Sequence, residues 1–455
     1  MLDKHPYIPN ASSVISDMLK TVGVKNIDEL FSDMPRSDFN GGGMPQQPMD
    51  ELSLVREVTG VLSKNQIYRS KCFMGGGPWP HYVPSVIRHI ISRGEFLTSY
   101  TPYQPEISQG ILQALFEFQS LVCELYDMEV ANASMYDLPT AIGEAALLST
   151  RVTGRKIFII PSSLPWERKS VIRNYTEPQG INVREIPYSS DDGTLIVEDL
   201  RKAVDEGVSG VYVESPSFFG TMQRDLEEIV DIAHQAGSLA VVGADPISVG
   251  IFKAPGEGGA DIVVGDGQPM GIPLGFGGNC LGIMACREDQ KIIRQLPGRI
   301  VGLTKTKDGN RDGFVLALST REQHIRRERA TSNICTNESL LAVAATIYLA
   351  LMGRNGLEKV AKAILSRSAY ARKRLEEVGL EARFDGISFR DFVTEVDNPT
   401  RVNRELARRG FSGGRSLEKD FPELKGGLLF ATTEVHSYED INGFMDALGK
   451  AAGGR

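Results

Sequence analysis

The chain has 455 residues, 41% hydrophobic and 24% charged, the balance of a globular protein with room for two or three packed units. Its net charge of −8 opposes the basic surface that nucleic-acid binding requires, so no nucleic-acid partner is expected. The longest apolar run, Leu340 to Met352, falls short of the roughly 18 residues of a membrane span, and its small residues suit a core helix.

The first residues, MLDKHPYIPN, carry no apolar or Arg/Ser-rich targeting pattern. The cysteines at 72, 123, 280, 286 and 335 lack metal-ligand spacing, so no metal site is expected and a reducing cytoplasm fits best. Residues 1–65 read as an irregular, helix-rich arm of the kind that packs on another subunit. Asn10, Ser12 or Ser13 can cap a first helix with Val14, Met18 and Leu19 on one face, ending at Gly23. Phe39 to Pro48 is a polar Gly/Pro/Gln connection.

From residue 66 to 330 strands alternate with helices. Ile111, Leu115, Phe118, Val122 and Leu125 make an apolar helix stripe. The short runs RKIFII, INVREI, GVYVES and SLAVVGAD each precede a helix pattern, with a helix over 225–237 between the last two. His234 falls late in that helix, and His81 follows a Gly/Pro-rich turn that could line a cleft. This alternation predicts a large α/β/α domain around a mainly parallel sheet, with ligands at the carboxyl ends of its strands. Residues 331–455 form a smaller α+β domain. There Asn337 caps one helix, Leu357 to Glu377 forms another, two strand runs flank a helix from Pro399 to Gly410, and a last helix starts at Ser437.

Asp245 ends the strand SLAVVGAD, before Pro246. A lone Asp there is as well explained by a turn. Its other reading comes from the glycine-rich block 259–278 that follows. Pyridoxal-phosphate enzymes of fold type I place an Asp at such a strand end, against the ring nitrogen, and a lysine some tens of residues on.

YTPYQPEISQG, VANASMYD, the Asp245-Pro246 pair, GADIVVGDGQPMGIPLGFGG and REQHIRRERATSNICT together resemble the glycine cleavage system P-protein family, the glycine dehydrogenases (decarboxylating). The likeness runs nearly end to end and is nearest to the first subunit of the two-subunit form. It implies a fold-type-I pyridoxal-phosphate-dependent transferase-like architecture. It also implies a complex that decarboxylates glycine and passes the aminomethyl group to the lipoyl arm of the H-protein. The partner subunit would bear the cofactor, and a heterotetramer with two copies of each subunit would be the assembly. In that partner a His-Lys-Thr run supplies the lysine that holds the cofactor. Here the place reads Gly267-Gln268-Pro269, and no lysine occurs between Lys253 and Lys291. Pyridoxal phosphate is therefore not expected to be covalently bound in this chain, and Asp245 would mark a vestigial cofactor site. The turn Ser134–Thr140, where the fold cradles the phosphate, carries Leu138 and Pro139 in place of the small residues of subunit 1 relatives. Pro139 removes an N–H donor, so a phosphate nest is not expected.

Tyr100-Thr101-Pro-Tyr103-Gln104-Pro-Glu106 is a proline-stiffened loop dense in polar groups. It reads either as a rigid lead into the helix or, by the resemblance, as part of a shared active site or lipoyl channel. The run Arg321–Arg329 is ordinarily a solvated, ion-paired face. Its alternative use is anion or partner contact through His324, Arg326 and Arg327. Two rival readings of the whole chain are a self-sufficient pyridoxal-phosphate enzyme of other specificity and a purely structural partner subunit.

Overall fold

The computed structural model describes residues 7, 10–34, 48–65, 68–77, 79–99, 102–278, 280–334 and 337–453. Tyr100, Thr101 and Cys335 lie outside the described residues, as does most of the polar segment 39–48. The chain divides into two compact units, 1–67 and 68–455.

The first unit holds the helices Ser12–Val22 and Glu51–Leu62 and a short 3-10 turn, Ile27–Phe31; none of them buries a residue. Ser12–Val22 ends as expected on Gly23, whose left-handed backbone returns its N–H to Leu19 and Lys20 carbonyls. Its start differs: Ala11 holds the cap position, and no side chain caps it. The second helix is capped by the Asp50 carboxylate, which accepts from the Ser53 N–H.

In the second unit seven strands, β1 Val130–Ala131, β2 Ile157–Pro161, β3 Asn182–Ile186, β4 Val208–Ser215, β5 Leu239–Ala244, β6 Ile262–Asp266 and β7 Gly282–Cys286, lie in the order β1-β7-β6-β5-β4-β2-β3. Strands β3, β2, β4, β5 and β6 run parallel, and β7 is antiparallel to both of its neighbours. The runs VSGVYVES and LAVVGA are buried along their whole length, as central parallel strands covered on both faces must be. Alternation then sorts their side chains. Val211, Val213, Val242 and Val263 enter the core under helices Gln109–Tyr126 and Leu226–Gln235, while Tyr212, Val241, Ile262 and Val264 enter the one under helix Leu138–Thr153. The sequence stripe on Gln109–Tyr126 is buried at Ile111, Leu115, Phe118 and Val122; Tyr126 takes the last place, and Leu125 is only half-buried.

A hairpin of β8 Ile300–Lys305 and β9 Asp312–Ala317 follows. After a short helix, Gln323–Arg326, a long one begins at Ser339 with Glu338 in the cap position, so Asn337 is not its cap; the Asn337 amide oxygen instead faces the Arg299 guanidinium at 3.4 Å. Counted to Glu377, this helix has the length and hydropathy of a membrane span. It is broken at Gly353 (φ 55°, ψ −176°), a backbone that suits glycine, and its first half packs Ala342, Val343, Ala345 and Tyr348 into the main core. It is a core helix. The chain ends in a three-stranded antiparallel sheet, β10 Asp391–Glu395, β11 Arg415–Ser416 and β12 Gly427–Ala431, ordered β10-β12-β11. Helices Pro399–Arg408 and Tyr438–Ala452 cover it, the last opened by a Ser437/Asp440 capping box. Phe73, stacked on Phe444 at 4.0 Å, joins this layer's core.

Candidate functional site: a cavity at the carboxyl ends of the parallel strands

Strands β4, β5 and β6 end side by side, with Ser215 opposite Ala244. Their last residues deliver Glu214, Asp245 and Asp266 to one cavity of about 80 Å³. Trp79, Leu138, Arg168, Arg390 and Asp391 are among the other residues that line it.

Asp245 takes the turn role that the sequence allowed it, and its second oxygen meets a cation of the chain itself. One carboxylate oxygen accepts from the Ile247 and Ser248 N–H groups at 2.9 Å, closing the turn before the next strand. The other pairs with the Arg390 guanidinium. Arg390 is 2% exposed, and its Nη1 also donates to His81 Nε2 at 2.9 Å. That bond fixes the His81 tautomer: Nδ1 carries the proton and donates to Glu434 at 2.9 Å. Burial raises the Glu434 carboxyl, but the His81 and Tyr82 hydrogen bonds outweigh it and hold the group below its ordinary range. The Arg390 head sits over the Trp79 ring, its carbon 3.6 Å from the ring centre, and Trp79 donates its indole N–H to Asp391 at 2.9 Å. The Gly76 N–H reaches the same Asp391 oxygen. Gly220 (φ 97°) packs so closely that a Cβ there would sit 2.0 Å from the Asp391 carbonyl oxygen.

Across the cavity Arg168 grips both oxygens of Glu214 at 2.7 and 2.8 Å, and the Tyr212 hydroxyl donates to the same carboxylate at 2.7 Å. Burial and the adjoining Glu214 charge push the Tyr212 phenol well above its usual range. Among the described residues no cation pairs with Asp266 as Arg168 does with Glu214. Burial raises the Asp266 carboxyl to about 6, the Gln268 N–H pulls it back, and Asp137 raises it further.

The residues around this cavity do not fit pyridoxal phosphate. At the lysine position, Gln268 spends its amide N–H on the Ile272 carbonyl at 2.8 Å, and Pro269 is buried. At the phosphate turn, the chain's own Asp137 caps helix Leu138–Thr153, accepting from the Thr140 N–H at 2.8 Å in a reciprocal capping box. Pro139 in the first turn lacks an N–H, so the helix end presents a carboxylate where an anion would need donors.

The loop and basic-run candidates lie elsewhere. Tyr103 is 43% exposed; its hydroxyl accepts from Arg299 Nη2 at 2.6 Å, and the guanidinium also lies over its ring at 4.4 Å. His324 meets the same ring edge-on at 5.8 Å. Two separate sequence candidates, Tyr103 and His324, thus meet directly, and Arg299, which sequence reasoning missed, holds Tyr103. Gln104, Glu106, Arg326 and Arg327 are exposed beside them in the chain. None of these described residues lines the Asp245 cavity. His234, in the last turn of its helix, pairs with Asp261 at 2.9 Å. Burial pushes the Cys123 and Cys286 thiols up to about 12, which makes them poor nucleophiles. Among the cavity residues, Glu214 and Arg390-Asp391 carried a signal in charges embedded in strand-like runs, GVYVES and SFRDFV.

Comparison with known proteins agrees over the whole length. The profile of the glycine cleavage system P-protein matches residues 5–448. The "Probable glycine dehydrogenase (decarboxylating) subunit 1" of Staphylothermus marinus is 48% identical, with 98% of each chain covered. A protein of the same description from Thermococcus kodakarensis is also 48% identical, with 99% of each covered. Among solved structures, a glycine decarboxylase (P-protein) of the glycine cleavage system in inhibitor-bound form superposes with a TM-score of 0.83 at 39% identity, over 98% of this chain and 100% of that one. A sphingosine-1-phosphate lyase from Burkholderia pseudomallei, 15% identical with a TM-score of 0.66 over 90% of this chain and 92% of its own, shares the fold. With the fold-type-I sheet in place, this chain belongs to the glycine cleavage system P-protein family, as subunit 1 of glycine dehydrogenase (decarboxylating).

Proposed function

We propose that this subunit acts in glycine decarboxylation from outside any cofactor pocket of its own. Pyridoxal phosphate is held by the cofactor-bearing subunit 2, whose electron-sink chemistry releases carbon dioxide from glycine, and the aminomethyl group leaves on the lipoyl arm of the H-protein. The assembly is a cytoplasmic heterotetramer with two copies of each subunit. Free thiols at Cys72, Cys123, Cys280 and Cys286 are in keeping with a reducing compartment. This chain's part is to wall the shared site and to position what enters it. Tyr103, held by Arg299 and flanked by His324, Gln104 and Glu106, offers a rigid polar surface for that role, with Tyr100 and Thr101 preceding it in the same loop. Arg326 and Arg327 extend it with positive charge suited to an anionic partner group. Asp245 is the relic of a cofactor site. The arm 1–65 packs on the partner, and the rest of the chain comprises a large domain, 66–330, and a small domain, 331–455.

The observation that carries this reading is the double loss at Gln268-Pro269 and at the Asp137-capped turn. The test is borohydride reduction of the assembled complex in the presence of pyridoxal phosphate, followed by peptide mapping. The label is expected on one lysine of the partner and on none of this chain. One mole of label per mole of this chain, at Lys253, Lys291 or any other single lysine, overturns the proposal.

A further inference from the structure

Asp245 has one oxygen committed to two backbone N–H groups, so its charge must be met at the other. A buried carboxylate without a cation is strongly destabilising. In cofactor-bearing relatives of the fold the protonated ring nitrogen meets it. Here Arg390 does, and the manner of the contact goes beyond charge.

The guanidinium is planar, permanently cationic and edged with N–H donors. Its central carbon sits over the Trp79 ring, 3.6 Å from the ring centre and so at stacking distance, and one nitrogen goes to Asp245. A second edge goes to His81 Nε2 at 2.9 Å, and Glu434 holds that imidazole in the accepting tautomer. Planarity, positive charge, an N–H to the strand-end Asp and an aromatic neighbour are the properties by which a pyridinium ring would be held. The free volume left, about 80 Å³, is below the ~150 Å³ that admits a benzene ring.

We infer that Arg390 is the resident ligand of this cavity: a planar-cation site, bounded by Asp245, Trp79 and His81, that the chain fills with its own guanidinium. Lysine could supply the charge at Asp245, but its tetrahedral ammonium cannot lie flat on Trp79 and present in-plane donors to Asp245 and His81 together. Removing the Arg390 head leaves a site that takes a small planar cation from solution. The inference deepens the proposed function, since it rests on this chain holding no cofactor ring; the two fail separately, because the borohydride label reports cofactor location and the following measurement does not involve cofactor.

The full-length chain carrying R390A is melted with millimolar methylguanidinium, with methylammonium at the same concentration, or with neither, beside the wild type. The variant is expected to melt about 4–6 °C below the wild type, from the loss of a buried charge partner spread over a chain of this length. Methylguanidinium should restore at least half of that shift and methylammonium little of it, while the wild type responds to neither. Equal restoration by both cations, or by neither, overturns the inference, as does a variant that melts with the wild type. Should R390A fail to fold, R390K decides: it keeps the charge and loses the plane, so it is expected to melt below the wild type, and an unchanged melting temperature overturns the inference.

Discussion

Asp266 is a cavity residue whose titration the fold alters. Burial raises its carboxyl to about 6 from an ordinary 3.8, with Asp137 adding to the effect and the Gln268 N–H opposing it. In the unfolded chain the group loses its proton near 4, while the folded state keeps it to near 6. The folded state therefore binds more protons in that window, and stability falls as pH rises from about 4 to about 6 and is level above. Asp266→Asn keeps an oxygen for the Gln268 N–H and removes the titration. It is expected to stabilise the chain by about 1–3 kcal/mol at pH 7 and to have a smaller effect below pH 4. Denaturant titrations at pH 4, 6 and 8 check this; a gain independent of pH would assign the effect to packing.

At the scale of elements, the loop before helix Gln109–Tyr126 is held at two points. Gln109 donates to the Pro105 and Phe314 carbonyls at 2.6 and 2.9 Å and accepts from the Phe314 N–H, tying loop, helix and β9 together. Tyr103 ties the loop to Arg299, just before β8, which is 2% exposed. Tyr103→Phe removes that hydroxyl and leaves the ring over the guanidinium. The loss of a hydrogen bond to a charged group is expected to cost about 1.5–3 kcal/mol at the site, roughly 10- to 150-fold in glycine–carbon dioxide exchange with H-protein, if the surface works in the shared site. The complex should still assemble, as light scattering would show. Full exchange activity in the variant would leave Tyr103 a packing residue.

For the whole molecule, the first unit is short of a core. Val14, Met18 and Val22 on its first helix are 40–63% exposed, and Leu52, Val55, Val58 and Leu62 on its second are 46–59% exposed. Two amphipathic helices with exposed apolar faces offer a surface that we propose subunit 2 covers. Deleting residues 1–35 is expected to weaken association with that subunit at least about tenfold, or about 1.4 kcal/mol, while the melting of unit 68–455 changes little. Sedimentation or light scattering at dilute concentration reads the first, calorimetry the second. An undiminished complex would remove the arm from the interface.

The elements were legible in the sequence because periodicity is local. The stripe from Ile111 to Val122, the buried runs of β4 and β5 and the Pro399 and Ser437 helix starts need no knowledge of what lies across the fold. Cap positions were less legible: Ala11 and Glu338 stand where a capping side chain was expected, and only at Glu338 does burial of the following turn, through Ser339 and Ala342, offset the missing cap. The sequence by itself also determined what the chain lacks at 268–269, since the absence of an amine is a fact of covalent structure. Tertiary structure alone decided what stands in its place. Arg390 reaches Asp245 across 145 positions, and Arg299 reaches Tyr103 across 196. An ion pair leaves no periodic trace in a sequence, and its partners are chosen by which strand ends the folded sheet brings together and by how little water remains between them.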